Sequence, residues 1–170
     1  MSLMNLNIDN YIGIKIVDTD IFKNVHPNII TIFGIILNFV IFFLLKKSNI
    51  LIANILTIIR CLCDILDGNI ARKYNKYSKL GGTLDTICDF IFIQLYCFLI
   101  ADKFIKNKNI VYTLCTINGL FNIYIMKDSI SDHSIIENNN TLIGKIIEFF
   151  FKKNSFILYI GIIILNYYIF

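Results

Sequence analysis

The chain has no tryptophan, a single proline (Pro27) and two histidines, and only 16% of its residues are charged. Each scarcity excludes something. His26 and His133 stand far apart, with no second histidine or cysteine beside either, so neither a histidine metal site nor a histidine acid–base catalyst is expected. The cysteines, Cys61, Cys63, Cys88, Cys97 and Cys115, show no C-x-x-C spacing and lie in apolar runs. They read as buried free thiols. Basic residues exceed acidic ones by little, 16 against 12. The lysines form short clusters between apolar runs, which suits loops at a membrane surface and speaks against a nucleic-acid partner. Charges also interrupt the apolar residues of segment 1–25, so no cleavable signal peptide is expected there.

Apolar residues make up 56% of the 170 positions, above the roughly 45–50% of ordinary globular domains. The length allows one domain, residues 1–170. Within it, 1–25 mixes Ile12, Ile14, Ile16 and Ile21 with Asp9, Lys15, Asp18 and Lys23. An amphipathic helix lying on the membrane face accounts for this better than an unordered tail. Residues 26–170 read as a transmembrane bundle. Pro27 suits a helix start, where its missing N–H would be unpaired anyway. The apolar run to about Leu45 is long enough to cross the roughly 30 Å of hydrocarbon. A polar turn, Lys46–Asn49, leads to a second span from Ile50 to Leu66 that continues as helix into Arg72. Arg60 lies within it, placed either to pair with acidic residues or to snorkel. A polar, basic loop from Arg72 to Lys79 precedes a third span, Thr83 to Ala101. A fourth, Ile110 to Met126, is interrupted at Asn118-Gly119. After a polar loop, Leu142–Phe151 reads as a short helix and Ser155–Phe170 as a last span. The fold class is therefore all-α, a polytopic bundle of five spans, with a half-length sixth as the alternative. Lysines and arginines divide almost evenly between the two sides, so the positive-inside rule gives no orientation.

The informative stretch is Asp64-Ile-Leu-Asp67-Gly68-Asn-Ile-Ala71-Arg72, eight further residues, then Gly81-Gly-Thr-Leu-Asp85-Thr-Ile-Cys-Asp89. On a helix, Asp64 and Asp67 share one face, as do Asp85 and Asp89. Two such helices packed together bring four carboxylates to one point. Unpaired in a membrane, four would cost about 10 kcal/mol, since one costs roughly 2.5–3.5 kcal/mol. Only Arg60 and Arg72 are near enough in sequence to offset them. Bound divalent cations answer the cost better, because hard oxygen donors suit magnesium, manganese or calcium. Gly68 and Ala71 leave a helix face bare, and Gly81 and Gly82 allow backbone to approach a ligand.

At every fixed position this stretch resembles the signature of the CDP-alcohol phosphotransferase family of integral membrane enzymes. The resemblance implies transfer at the phosphorus of a CDP-linked alcohol, with CMP leaving. It implies that Asp64, Asp67 and Asp85 are the principal ligands of Mg2+ or Mn2+, held as two ions, and that Asp89 reaches the second ion. Asp89 is also the candidate general base for the attacking hydroxyl. Arg72 would grip a phosphate, while Gly68, Ala71 and Gly81 would admit the CDP moiety. The Pro-Asn-x-x-Thr start of the first span resembles the family's, adding Asn28 and Thr31. Lys145, with Lys127, could line a basic pocket if the acceptor is phosphorylated. The scarcity of arginine favours an unphosphorylated acceptor.

The implied partners are the CDP-linked lipid or alcohol, the acceptor alcohol and the bilayer; the family's dimer contacts add a homodimer. The implied location is a membrane with the motif facing the cytosol, the endoplasmic reticulum in a eukaryotic host or the inner membrane in a bacterium. The short chain and the Leu84-Asp85-x3-Asp89 run look closest to the branch that transfers phosphatidyl from CDP-diacylglycerol to serine, inositol or glycerol phosphate. The alternative branch passes phosphocholine or phosphoethanolamine to diacylglycerol. From another class, a cation transporter lined by aspartates accounts for the carboxylates but not for Gly68, Ala71, Arg72 and Gly81 at their spacing. A non-catalytic subunit is the third reading.

Overall fold

The computed structural model describes residues 8–19, 21–131 and 155–170. Among them every regular element is a helix: α1 (Ile8–Val17), α2 (Pro27–Lys46), α3 (Ile50–Lys73), α4 (Lys79–Phe104), α5 (Lys108–Ser131) and α6 (Ser155–Ile169). The expected all-helical class is thus met. The helix expected at 142–151, and Lys145 within it, lie outside the described residues.

Local chemistry sets the helix ends. His26 caps α2, its Nδ1 accepting the Asn28 N–H at 3.3 Å, with Pro27 in the first turn. The other end closes by two reversed bonds, Asn49 N–H to Leu44 C=O at 2.9 Å and Ser48 N–H to Leu45 C=O at 3.0 Å. Ser48 takes the left-handed conformation this closure requires, φ 58°. At α4, the Ser78 hydroxyl accepts the Gly81 N–H at 3.0 Å. That cap starts the helix at Lys79, ahead of the expected span start at Thr83, and places Gly81 and Gly82 in its first turn.

The break expected at Asn118-Gly119 is also absent, since α5 runs through it. Gln94 of α4 explains why. It accepts from Asn118 Nδ2 at 2.9 Å and donates to the Cys115 carbonyl at 2.5 Å. The Gln94 amide lies against the bare face of Gly119, where a Cβ would stand 3.4 Å from its nitrogen.

The burial pattern is inverted relative to a water-soluble bundle. Along α2 the inward stripe carries Thr31, Gly34 and Asn38 with Leu37, Ile41 and Leu45, while Ile29, Ile32, Phe33, Ile36 and Phe43 are exposed. Along α3 the inward stripe holds Asn54, Thr57, Arg60 and Asp67, and Leu51, Ile52, Ile55 and Ile58 face outward. Polar groups inside and branched apolar groups outside suit lipid, not water. Helices α2 and α4 are long and apolar enough to cross a membrane. Helix α3 has the length, 24 residues, and concentrates its polarity on the inward stripe. Helix α6, at 15 residues, rises about 22 Å, short of the roughly 30 Å core.

Helix α2 packs against both α3 and α4, α1 and α6 pack on α3, and α5 packs on α4. Gly13 is where α1 meets α3, its bare face occupied by the Asn69 side chain. Lys73 Nζ then ties the end of α1 by bonding the Val17 carbonyl at 2.9 Å and Asp18 at 3.1 Å. Helix α6 is docked through a buried polar cluster. Asn166 Nδ2 donates to Asn54 Oδ1 at 2.6 Å, and Tyr96 OH donates to Asn166 Oδ1 at 3.1 Å. Replacing Asn166 by leucine would leave the Asn54 amide and the Tyr96 hydroxyl buried without this partner, at a cost of about 1–3 kcal/mol. The expected result is a lower unfolding midpoint in detergent, measured by scanning fluorimetry.

Candidate functional site

The second half of α3 and the first half of α4 meet beside the start of α2, and the aspartates lie at this junction. Asp64, Asp85 and Asp89 each offer an oxygen, and the three lie within 4.8 Å of one another. Asp67, one turn further along α3, is buried and points toward α2, where the Thr31 hydroxyl donates to its Oδ2 at 2.6 Å. Asn28, Thr31, Asp67, Gly68, Gly81 and Asp85 line one cleft between the three helices, and Ala71 belongs to the same wall. Asp85 is the residue common to the cleft and the three-carboxylate cluster.

Glycine is needed at one of these positions, Gly81. A Cβ on Gly68 would stand 3.4 Å from a guanidinium nitrogen of Arg72, an ordinary contact with the end of a flexible side chain. A Cβ on Gly81 would stand 2.8 Å from Asn28 Oδ1, closer than packed atoms tolerate. Gly81 therefore lets the start of α4 close on the start of α2. At Gly82 an added Cβ meets open space. Asn28 Oδ1 is itself a buried acceptor with no hydrogen-bond partner among the described residues. Buried polar atoms are rarely left so, and a donor or cation in the cleft would satisfy this one.

Arg60 anchors the cluster from below. It is 1% exposed, and its guanidinium reaches Asp64 Oδ1 at 3.0 Å and Asp89 Oδ1 at 2.5 Å. Its Nε donates to Asn38 Oδ1 at 3.2 Å, and Asn38 Nδ2 donates to the Cys88 carbonyl at 2.9 Å. Of the two placements the sequence allows for Arg60, the structure shows pairing. Its spacing of four residues from Asp64 is the local signal. The link to Asp89, and the part played by Asn38, have no local signal. Lys76, on the loop beside the cleft, was not among the expected site residues. Its Nζ is bound to the Lys23 and Val25 carbonyls at 2.6 and 3.0 Å.

The arrangement can do three things. Three converging carboxylates, with Asp67 beside them, form a hard-oxygen donor set that could hold a divalent cation. Gly68 and Gly81 leave part of the cleft wall bare of side chains, where a ligand group could approach the backbone. Asp89, half-buried and bonded to Arg60 beside Asp85, is a carboxylate that can accept a proton. Thr31→Val tests one support of this set. It removes a charge-assisted bond worth about 1.5 kcal/mol or more. Roughly tenfold weaker divalent-cation binding is expected, with helix content unchanged, read by Mn2+ titration and circular dichroism.

The family model described as CDP-alcohol phosphatidyltransferase matches residues 24–168. An Aquifex aeolicus CDP-diacylglycerol–glycerol-3-phosphate 3-phosphatidyltransferase is 31% identical over 90 residues, 52% of this chain and 51% of the relative. A Saccharomyces cerevisiae CDP-diacylglycerol–inositol 3-phosphatidyltransferase is 59% identical over 29 residues, 17% of this chain and 13% of the relative. An uncharacterized Aquifex aeolicus protein is 38% identical over 66 residues, 39% of this chain and 34% of the relative. The matches thus span about half or less of each relative's length. No solved structure matches the chain significantly.

Proposed function

The chain belongs to the CDP-alcohol phosphatidyltransferase family, whose model covers residues 24–168, and on that premise we propose that it transfers a phosphatidyl group from CDP-diacylglycerol to a small polar alcohol with release of CMP. The observation that carries this reading is the convergence of Asp64, Asp85 and Asp89 within 4.8 Å at the end of a glycine-walled cleft. The donor branch is supported by the two relatives named for an activity, since both names specify CDP-diacylglycerol. Serine, inositol and glycerol phosphate are the candidate acceptors.

In this reading the donor's cytidine and phosphates enter along Gly68, Ala71 and Gly81, with Arg72 on a phosphate and Asn28 offering its unpartnered oxygen. Asp64, Asp67 and Asp85, with Asp89, hold Mg2+ or Mn2+. Two bound ions would supply neutralisation of charge on the pyrophosphate. Asp89 accepts the proton as the acceptor's hydroxyl oxygen bonds to the lipid-linked phosphorus. The bond from that phosphorus to the CMP oxygen breaks, and CMP leaves. Residues 1–170 form one membrane domain, with α1 on the membrane surface and the cleft open to the cytosol. The proposed location is the endoplasmic reticulum or inner membrane, with a homodimer as the assembly.

The test is CMP release by purified protein in mixed lipid–detergent micelles with Mg2+. CDP-diacylglycerol with each alcohol is compared with CDP-choline plus diacylglycerol, beside Asp89→Asn. Release from CDP-diacylglycerol with one alcohol is expected, reduced about a hundred- to ten-thousandfold in the variant by loss of the base. Release from CDP-choline alone would move the chain to the other branch. No release from folded, cation-binding protein would overturn the reading.

A further inference from the structure

Arg60 carries a feature that carboxylate ligands alone do not require. A buried arginine next to a cation site is electrostatically unfavourable for the cation, yet this one is held from three helices at once. Nε bonds Asn38 of α2, one terminal nitrogen bonds Asp64 of α3, and the other bonds Asp89 of α4. The second terminal nitrogen also lies 3.3 Å from Cys88 Sγ. Phe92 and Tyr159 close over it, each ring centroid 5.4 Å from the guanidinium carbon. A side chain merely neutralising surplus acid would not need this enclosure. The planar fork fixes the angle between two carboxylates on different helices, which an ammonium could not do.

We propose that Arg60 is a positioning residue that ties Asp89 to Asp64 and competes with divalent cations for both carboxylates, setting a weak cation affinity while keeping Asp89 beside Asp85, the cluster's residue that lines the cleft. The inference rests on the reading of the carboxylate cluster as the cation-binding centre of a phosphatidyl transferase. Arg60 touches neither substrate nor the reacting atoms in that reading; it acts through Asp89. Two opposite effects follow from removing it. The cluster gains one net negative charge and two freed carboxylate oxygens, so cations bind more tightly. Asp89 loses its orientation, so transfer falls. A role confined to holding helices together would weaken both.

The experiment measures Mn2+ affinity by electron paramagnetic resonance titration, and CMP release in parallel, for the full chain in detergent. Arg60→Gln is expected to bind Mn2+ about tenfold more tightly, or more, because like charge near the ion is removed, while CMP release falls about a hundredfold. Arg60→Lys keeps the charge but not the fork. It is expected to bind Mn2+ as the parent does and still to lose transfer. In the double variant Arg60→Gln/Asp89→Asn, most of the tighter binding should vanish if the effect runs through Asp89. Unchanged or weaker Mn2+ binding in folded Arg60→Gln would overturn the proposal. Full transfer activity in Arg60→Lys would overturn the positioning role. Should Arg60→Gln fail to fold, the lysine variant still decides: parent-like Mn2+ affinity with lost transfer supports the proposal, and Mn2+ affinity and transfer weakened together would overturn it. Absence of CMP release from the parent protein, with the Mn2+ shifts intact, would instead count against the transferase reading.

Discussion

Asp85→Asn is expected to lower CMP release by about a thousandfold, equivalent to roughly 4 kcal/mol of lost charge stabilisation at the reacting phosphate. Its position gives the reason. Asp85 lines the cleft with Asp67 and lies within 4.8 Å of Asp64 and Asp89. Arg60 ion-pairs Asp64 and Asp89 but not Asp85, so Asp85 is the cluster's carboxylate left most available to a cation. The amide keeps the shape and one weak oxygen donor but removes the charge. Mn2+ binding should fall together with activity, while the unfolding midpoint holds or rises, because the cluster loses like-charge repulsion. Retained transfer with lost Mn2+ binding would separate the cation from the chemistry. Retained values of both would mean that Asp85 is not part of the site.

The grouping of the aspartates was legible because helical periodicity is strict: three- and four-residue spacings place side chains on one face whatever the surroundings. Which carboxylates converge was not legible. Spacing does not fix how α3 is rotated about its axis, and it is that rotation which sends Asp64 to α4 and Asp67 to Thr31 of α2. The inward polar stripe of α2 was visible in part, since Thr31, Gly34 and Asn38 recur at helical spacing within an apolar run. Reading it required treating lipid as the solvent, so that polarity, not hydrophobicity, marks the buried face. The early start of α4 was within reach, as Ser78 stands three residues before Gly81 in a capping position. The continuity of α5 was not. A helical glycine costs about 1 kcal/mol in isolation, and the Gln94 contacts from another helix help to offset it. The same holds for Asn166, whose partners Asn54 and Tyr96 lie on helices distant in sequence. Local rules expose helix ends and faces; pairings between distant helices emerge from packing.

Chelation with EDTA is expected to abolish CMP release, with a loss of about a thousandfold or more, and yet to leave the unfolding midpoint nearly unchanged. A cluster of bare carboxylates would resist this, since removing its cation would leave repelling charges within 4.8 Å. Here Arg60 stays behind, bonded to Asp64 and Asp89, and carries part of the neutralisation itself. With cation present at its dissociation constant, binding stabilises the fold by only about 0.4 kcal/mol. Losing it shifts the midpoint by about 1–2 °C in a chain of this size. For Arg60→Gln, tenfold tighter binding at the same cation concentration raises the linked term to about 1.4 kcal/mol, so chelation should shift that variant by about 3–6 °C. The difference between the two proteins is the informative quantity, read by scanning fluorimetry with and without EDTA and reversed by added Mg2+. Equal shifts would show that the guanidinium does not compete with the cation. A larger shift in the parent would reverse the roles, making the cation the main structural tie and Arg60 its accessory.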